Sequence, residues 1–117
     1  MDEQQQLTNL IRAFVAERDW SQYHSPKNLS MALSVEVSEL VEIFQWLTEQ
    51  QSANLDSAKL AEAQDELADI YYYLLRLSDV LGIDLKKALS KKMQKNAEKY
   101  PADKVRGDSR KYSDYGD

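Results

Sequence analysis

Between residues 29 and 47, and again between 63 and 81, apolar side chains recur every three or four positions, the spacing that lines up one face of an α-helix. Each of these stripes is interrupted by a glutamate. The first runs Leu29, Leu33, Glu36, Leu40, Ile43, Leu47, with Glu39 on its flank. The second runs Ala63, Glu66, Ile70, Tyr73, Leu77, widened by Leu74 and Leu81, with Asp69 beside Glu66 as Glu39 is beside Glu36. If the two stripes pack on each other, four carboxylates meet where water is scarce. A buried ion is costly unless something of opposite sign compensates it. Oxygen-only ligands point to a hard divalent cation, Mg2+ with Mn2+ as its substitute, of the kind that keeps some waters and shares its coordination sphere with phosphate.

Few breakers interrupt these patterns. The chain of 117 residues has three glycines, two prolines and no cysteine, so it reads as an all-α, four-helix-bundle-like domain without disulfides, thiolate metal sites or a thiol nucleophile. The predicted helices are Glu3 to Arg18, with Leu7, Leu10, Ile11, Phe14 and Val15 as its stripe; Pro26 to about Glu49, capped by Ser25; Ser57 to Leu81, ended by Gly82; and a fourth from Asp84 to Pro101. Asp19 to Pro26 reads as a connection and Gln50 to Asp56 as a polar loop. The domain is expected over 1–101, with 102–117 as a tail that orders on substrate or on a neighbouring subunit.

The net charge of -5 and the lack of a dense Lys/Arg run argue against a nucleic-acid polymer as partner, while a small anion held through metal stays compatible. The amino end lacks the basic and apolar segments of a signal peptide, and no run approaches the roughly 20 apolar residues of a membrane span, so the expected compartment is the cytoplasm. Apolar residues spread around most of the third helix, with Leu67, Ile70, Tyr71, Leu74, Leu75 and Leu81 covering more than one face. A chain of this length has too little else to cover them, and a homo-oligomer is expected.

Two glutamates separated by two residues, then twenty-six residues, then Glu66-Leu67-Ala68-Asp69 is a spacing similar to that of the MazG-like all-α nucleoside triphosphate pyrophosphohydrolases. Arg18-Asp19-Trp20, His24-Ser25-Pro26-Lys27-Asn28-Leu29, Phe44-Gln45-Trp46 and Lys92-Met93 followed by Asn96 and Tyr100-Pro101 further resemble the dCTP pyrophosphatase branch, and Arg110-Lys111-Tyr112 echoes its C-terminal segment. The resemblance implies Mg2+-dependent hydrolysis of a nucleoside triphosphate, dCTP or a modified dCTP, to the monophosphate and pyrophosphate, as house-cleaning of the nucleotide pool. It assigns Glu36, Glu39, Glu66 and Asp69 to the metal and Trp20 and Trp46 to the base; Tyr73, four residues past Asp69 on the same helix face, is our own candidate for the pocket lining. Lys92, Asn96 and Tyr100, joined by Arg110 and Lys111 of the tail, go to phosphate, and the assembly is a tetramer built from two dimers. Glu39 is our candidate for the proton acceptor. Ile11 departs from the pattern, because the cytosine-selective enzymes carry a histidine there; a broad NTP or dUTP pyrophosphohydrolase is therefore the alternative. His24, the one histidine, is either a base or a capping and hydrogen-bonding residue before Pro26. A helical interaction module without catalysis is the competing reading from a different class. A di-iron bundle is excluded, since it needs two Glu-x-x-His motifs.

Overall fold

The structure is a computed structural model, in which residues 1–109 are described. It is all-α: α1 is Glu3–Glu17, α2 Pro26–Phe44, α3 Glu49–Ser52, α4 Ser57–Leu81, α5 Leu85–Lys99 and α6 Ala102–Val105, with a 3-10 turn at Ser21–Tyr23. Two compact units divide the chain, Met1–Ile83 and Asp84–Asp117. No helix among the described residues is long and apolar enough to cross a membrane.

Helix starts follow the side chains that satisfy the first free N–H groups. Asp2, Ser25, Asp56 and Asp84 each accept a hydrogen bond from the backbone three residues on, at 2.8, 3.1, 2.8 and 3.2 Å. Pro26 occupies the first turn of α2, where its missing N–H costs nothing. The expected extension of the second helix to Glu49 is not found: it ends at Phe44, and Thr48 opens the short α3, which runs on into what was read as polar loop from Gln50. The physical reason is a capping box. Thr48 Oγ1 accepts from the Gln51 N–H at 3.1 Å while Gln51 Oε1 accepts from the Thr48 N–H at 2.9 Å, so the backbone gains a new helix start by leaving the old helix. The first four residues of the expected tail likewise form α6.

In the first unit α2 lies along α4, and α1 makes a smaller contact with α4. Leu29, Ala63, Leu75 and Val15 are the buried apolar side chains, one or two from each of the three long helices. Full burial of a Val or Leu side chain contributes about 1.5–3 kcal/mol, so these few positions carry much of the packing.

Beyond the apolar contact, α1 is tied to α4 by charge. The Arg12 guanidinium is bidentate to Asp79, with Nε donating to Oδ2 at 2.7 Å and Nη2 donating to Oδ1. Arg76, itself buried, approaches the same carboxylate at 3.7 Å, and its Nε donates to His24 Nδ1 at 3.0 Å. This assigns the sole histidine a hydrogen-bonding role and neutral form, and burial followed by the nearby Arg76 charge holds its pKa below the ordinary value.

The turn after α1 has a defined geometry. The Asp19 N–H donates to the Ala16 carbonyl and the Trp20 N–H to the Val15 carbonyl, both at 3.1 Å, with Asp19 in the left-handed region at φ 54°. This is a Schellman cap with aspartate where glycine is usual. Its accompanying apolar contact is the edge-to-face pair of Trp20 with Phe14, centroids 5.6 Å apart. Gln22 Nε2 steadies Asp19 by donating to its carbonyl at 3.0 Å and its Oδ2 at 3.3 Å.

Candidate active site

Where α2 and α4 face each other, Glu36, Glu39 and Glu66 each bring one carboxylate oxygen within 4.8 Å of the others. Glu36 and Glu66 are half-buried, whereas Glu39 and Asp69 are exposed. This corrects the expectation that all four acids point into the seam. Three residues advance a helix by about 300°, so the second acid of each pair sits some 60° off the stripe, at the lip. Asp69 nevertheless acts on the cluster, because its charge raises the pKa values of both Glu36 and Glu66.

Burial is the first cause that pushes the Glu36 carboxyl up to about 7; contact with Glu66 and Glu39, and the charges of Glu39 and Asp69, add to it. Glu66 is also raised, again by burial first, while its contact with Glu36 pulls the other way. The coupled pair therefore holds a proton more tightly than a free carboxyl does in the absence of a cation. Oε2 of Glu36 and Oε2 of Glu66 are both buried without a hydrogen-bond partner. Such orphaned acceptors, converging with a third carboxylate and no sulfur or imidazole, fit a hard divalent cation.

A cavity opens on each side of this acidic row. One, of about 400 Å³, is lined by Phe14, Glu36, Ala68, Asp69, Tyr72 and Tyr73, a volume within the range of small-molecule pockets. Its aromatic wall is continuous: Phe14 meets Tyr72 edge-to-face at 6.2 Å and Tyr72 meets Tyr73 at 4.9 Å, so that Trp20, Phe14, Tyr72 and Tyr73 form a row. The Tyr73 hydroxyl is held well protonated by burial and by the charges of Glu36 and Asp69, which keeps it a donor. The second cavity, of about 390 Å³, is lined by Glu39, Glu42, Ile43, Lys59, Glu62 and Glu66.

The structure thus brings Glu36, Glu39, Glu66, Asp69 and Tyr73 to one place, with Trp20 joined to it through Phe14. Trp46, just past α2, is 86 % exposed and lines neither cavity. Lys92, Asn96 and Tyr100 belong to the second unit, at intervals of four along α5 and its end. Arg110 and Lys111 lie outside the described residues. Phe14, Tyr72 and Lys59 were not singled out from sequence. For Phe14 and Tyr72 the available signal was an aromatic residue on the adjoining helix or three residues after Asp69, which reads equally well as core.

An all-α chain with paired carboxylates on two facing helices, flanked by an aromatic cavity, defines an acidic, cation-ready helical class. Within it the assignment is specific: residues 31–115 match the model of the MazG-like family, and the chain belongs to that family. It is similar to dCTP pyrophosphatase 1 of Homo sapiens, 41% identical over 110 residues that make up 92% of this chain and 65% of the human protein. The corresponding protein of Rattus norvegicus is 39% identical over the same share. The chain thus spans just under two thirds of the length of the curated relatives it matches. Among solved structures, a pyrophosphatase from Archaeoglobus fulgidus superposes with a TM-score of 0.82 at 39% identity, covering 86% of this chain and 94% of that one.

Proposed function

We propose that this chain is a metal-dependent nucleoside triphosphate pyrophosphohydrolase that converts dCTP, or a modified dCTP, to the monophosphate and pyrophosphate. The observation that carries the reading is the pair of buried, partnerless oxygens on Glu36 and Glu66 beside an aromatic cavity of about 400 Å³. The names of the relatives agree with it.

Glu36, Glu39, Glu66 and Asp69 would hold Mg2+, or Mn2+ in its place. When bound, the ion supplies positive charge that neutralises the triphosphate and makes its phosphorus easier to attack. Glu36 and Glu66 act as the fixed ligands, since their packing leaves them least free to turn. To Glu39, at the open lip, we assign the role of accepting a proton from the attacking water. Tyr73 and the ring row that ends in Trp20 receive the base, and the base role of Trp46 enters this reading from sequence resemblance. Base stacking on an aromatic ring is worth about 1–3 kcal/mol. The phosphate roles of Lys92, Asn96, Tyr100, Arg110 and Lys111 enter this reading from sequence resemblance.

A homo-oligomer, a tetramer of two dimers, completes the proposal. What supports it is the outer face of α4, where Leu60, Leu67, Tyr71, Leu74 and Leu81 are all exposed and recur on a seven-residue repeat, with Met31, Val35 and Val41 similarly exposed on α2. Broad NTP or dUTP hydrolysis is the second reading, favoured by Ile11, whose side chain can neither donate to nor accept from a base. Pyrophosphate release measured across the common NTPs and dNTPs, with and without Mg2+, tests both. Metal-dependent release with dCTP foremost is expected. Equal rates on all bases would move the assignment to the second reading, and no release from any nucleotide would remove it.

A further inference from the structure

Trp20 and Phe14 form the end of the aromatic row, yet both rings are only partly covered by packing. Trp20 is 41% exposed and Phe14 38% exposed, and α1 rests on α4 over a shorter contact than α2 does. Two polar tethers bracket the segment that carries the two rings. On one side of the rings Arg12 is clamped to Asp79 by two hydrogen bonds; on the other His24 accepts from Arg76. Both tethers end on the same turn of α4, and Arg76 and Asp79 also face each other at 3.7 Å. Neither the metal cluster nor the lining of either cavity includes any of the four residues.

A surface ion pair is usually of little consequence, but this one is not on the surface throughout. The Asp79 side chain is 14% exposed and that of Arg76 10% exposed, so the shared carboxylate and the buried guanidinium each depend on the other for compensation. Bidentate contact fixes the direction of Arg12 as well as its distance. A neutral imidazole is the only form of His24 that can accept from Arg76, so the second tether is specific to an acceptor at Nδ1.

We propose that Arg76 and Asp79, through His24 and Arg12, are positioning residues for the base end of the cavity: they hold both flanks of the segment 12–24 on α4, so that the Phe14–Trp20 ring pair is set before substrate arrives. Binding to a pre-set wall avoids the ordering cost that a loose segment would pay on each encounter. The consequence is a defect confined to nucleotide affinity when the tethers are cut. The proposal rests on the nucleotide reading of the cavity for its kinetic arm alone.

The experiment compares His24→Phe, which keeps the ring volume but removes the acceptor, with His24→Asn, whose amide oxygen can take the Nδ1 position, and with Asp79→Asn. In a Trp46→Phe background, used for the emission arm alone while the kinetic arm keeps Trp46, Trp20 is the single tryptophan and its emission reports the ring's surroundings without substrate. Expected in His24→Phe are a red-shifted Trp20 emission and a KM for dCTP raised about tenfold with kcat within a factor of two. Mn2+ binding by calorimetry should be unchanged, and His24→Asn should restore both emission and KM. Asp79→Asn should act in the same direction as His24→Phe, and circular dichroism identifies a variant that has simply unfolded, in which case His24→Phe decides. Unmoved Trp20 emission in His24→Phe would overturn the proposal, and so would a fall in kcat at constant KM. If the wild type turns over no nucleotide, the function proposed above fails while the emission arm still decides the tether.

Discussion

Glu36 shows how far one side chain can couple the fold to its chemistry. Its carboxyl is pushed up to about 7 from an ordinary 4.5, chiefly by burial. The folded, metal-free protein therefore keeps a proton that the unfolded chain releases, and its stability falls as the pH rises from about 4.5 to about 7. Glu36→Gln, neutral at every pH, should flatten that part of the profile in thermal unfolding with chelator present. The same substitution should lower turnover with Mg2+ by about 10²-fold or more, as loss of an essential electrostatic element does. Asp19 offers a purely conformational test. At φ 54° a β-branched side chain is strained, so Asp19→Val should cost about 1–2 kcal/mol in denaturant unfolding, while Asp19→Gly should be close to neutral, the relief of strain offset by the lost Gln22 contact. Glu36 and Glu66 were legible in the sequence because they break an apolar stripe. Glu39 and Asp69 were legible as neighbours, but not as exposed groups, since three residues along a helix leave a side chain at the edge of a face.

Whole helices were easier to read than their ends. Ser25 with Pro26, Asp56, Asp84 and Gly82 mark boundaries through local chemistry, and the structure uses each one. The end of α2 was hidden because Phe44 to Glu49 contains neither glycine nor proline. The signal lay in the Thr48–Gln51 box, which competes with helix continuation only once its two reciprocal hydrogen bonds are considered together. Packing between elements was legible where both partners carry a periodic stripe, as α2 and α4 do. The Arg12–Asp79 pair was not, because partners sixty-seven residues apart leave no pattern in a single chain. The buried side chains of these elements supply a check on the packing: Leu29→Ala or Leu75→Ala should each destabilise by about 2–5 kcal/mol in urea unfolding, whereas Leu89→Ala, 63% exposed on α5, should stay within about 0.5 kcal/mol.

At the scale of the molecule, the apolar residues left outside matter more than the few inside. If the outer row of α4 is covered by another copy of the chain, light scattering on the purified protein should give a mass near four times 13.5 kDa. Leu67→Glu should shift it to smaller species by placing a charge in the middle of the row. A mass of one chain for the wild type would remove the assembly from the account.

α4 carries carboxylates on one face and an exposed apolar row on another, so the two are joined through a single rigid element. A side-chain terminus lies about 5–6 Å from the helix axis, so turning α4 by roughly 20° would sweep the Glu66 carboxylate through about 2 Å, the length of a metal–oxygen bond. A contact that grips the outer row would therefore bear on the angular phase of the inner one, alongside the packing of α2 and α1. A substitution at Leu67 or Tyr71 that leaves every acid in place would detune the centre from behind, and distant changes on that outer row would be felt first as altered cation selectivity, before any loss of fold.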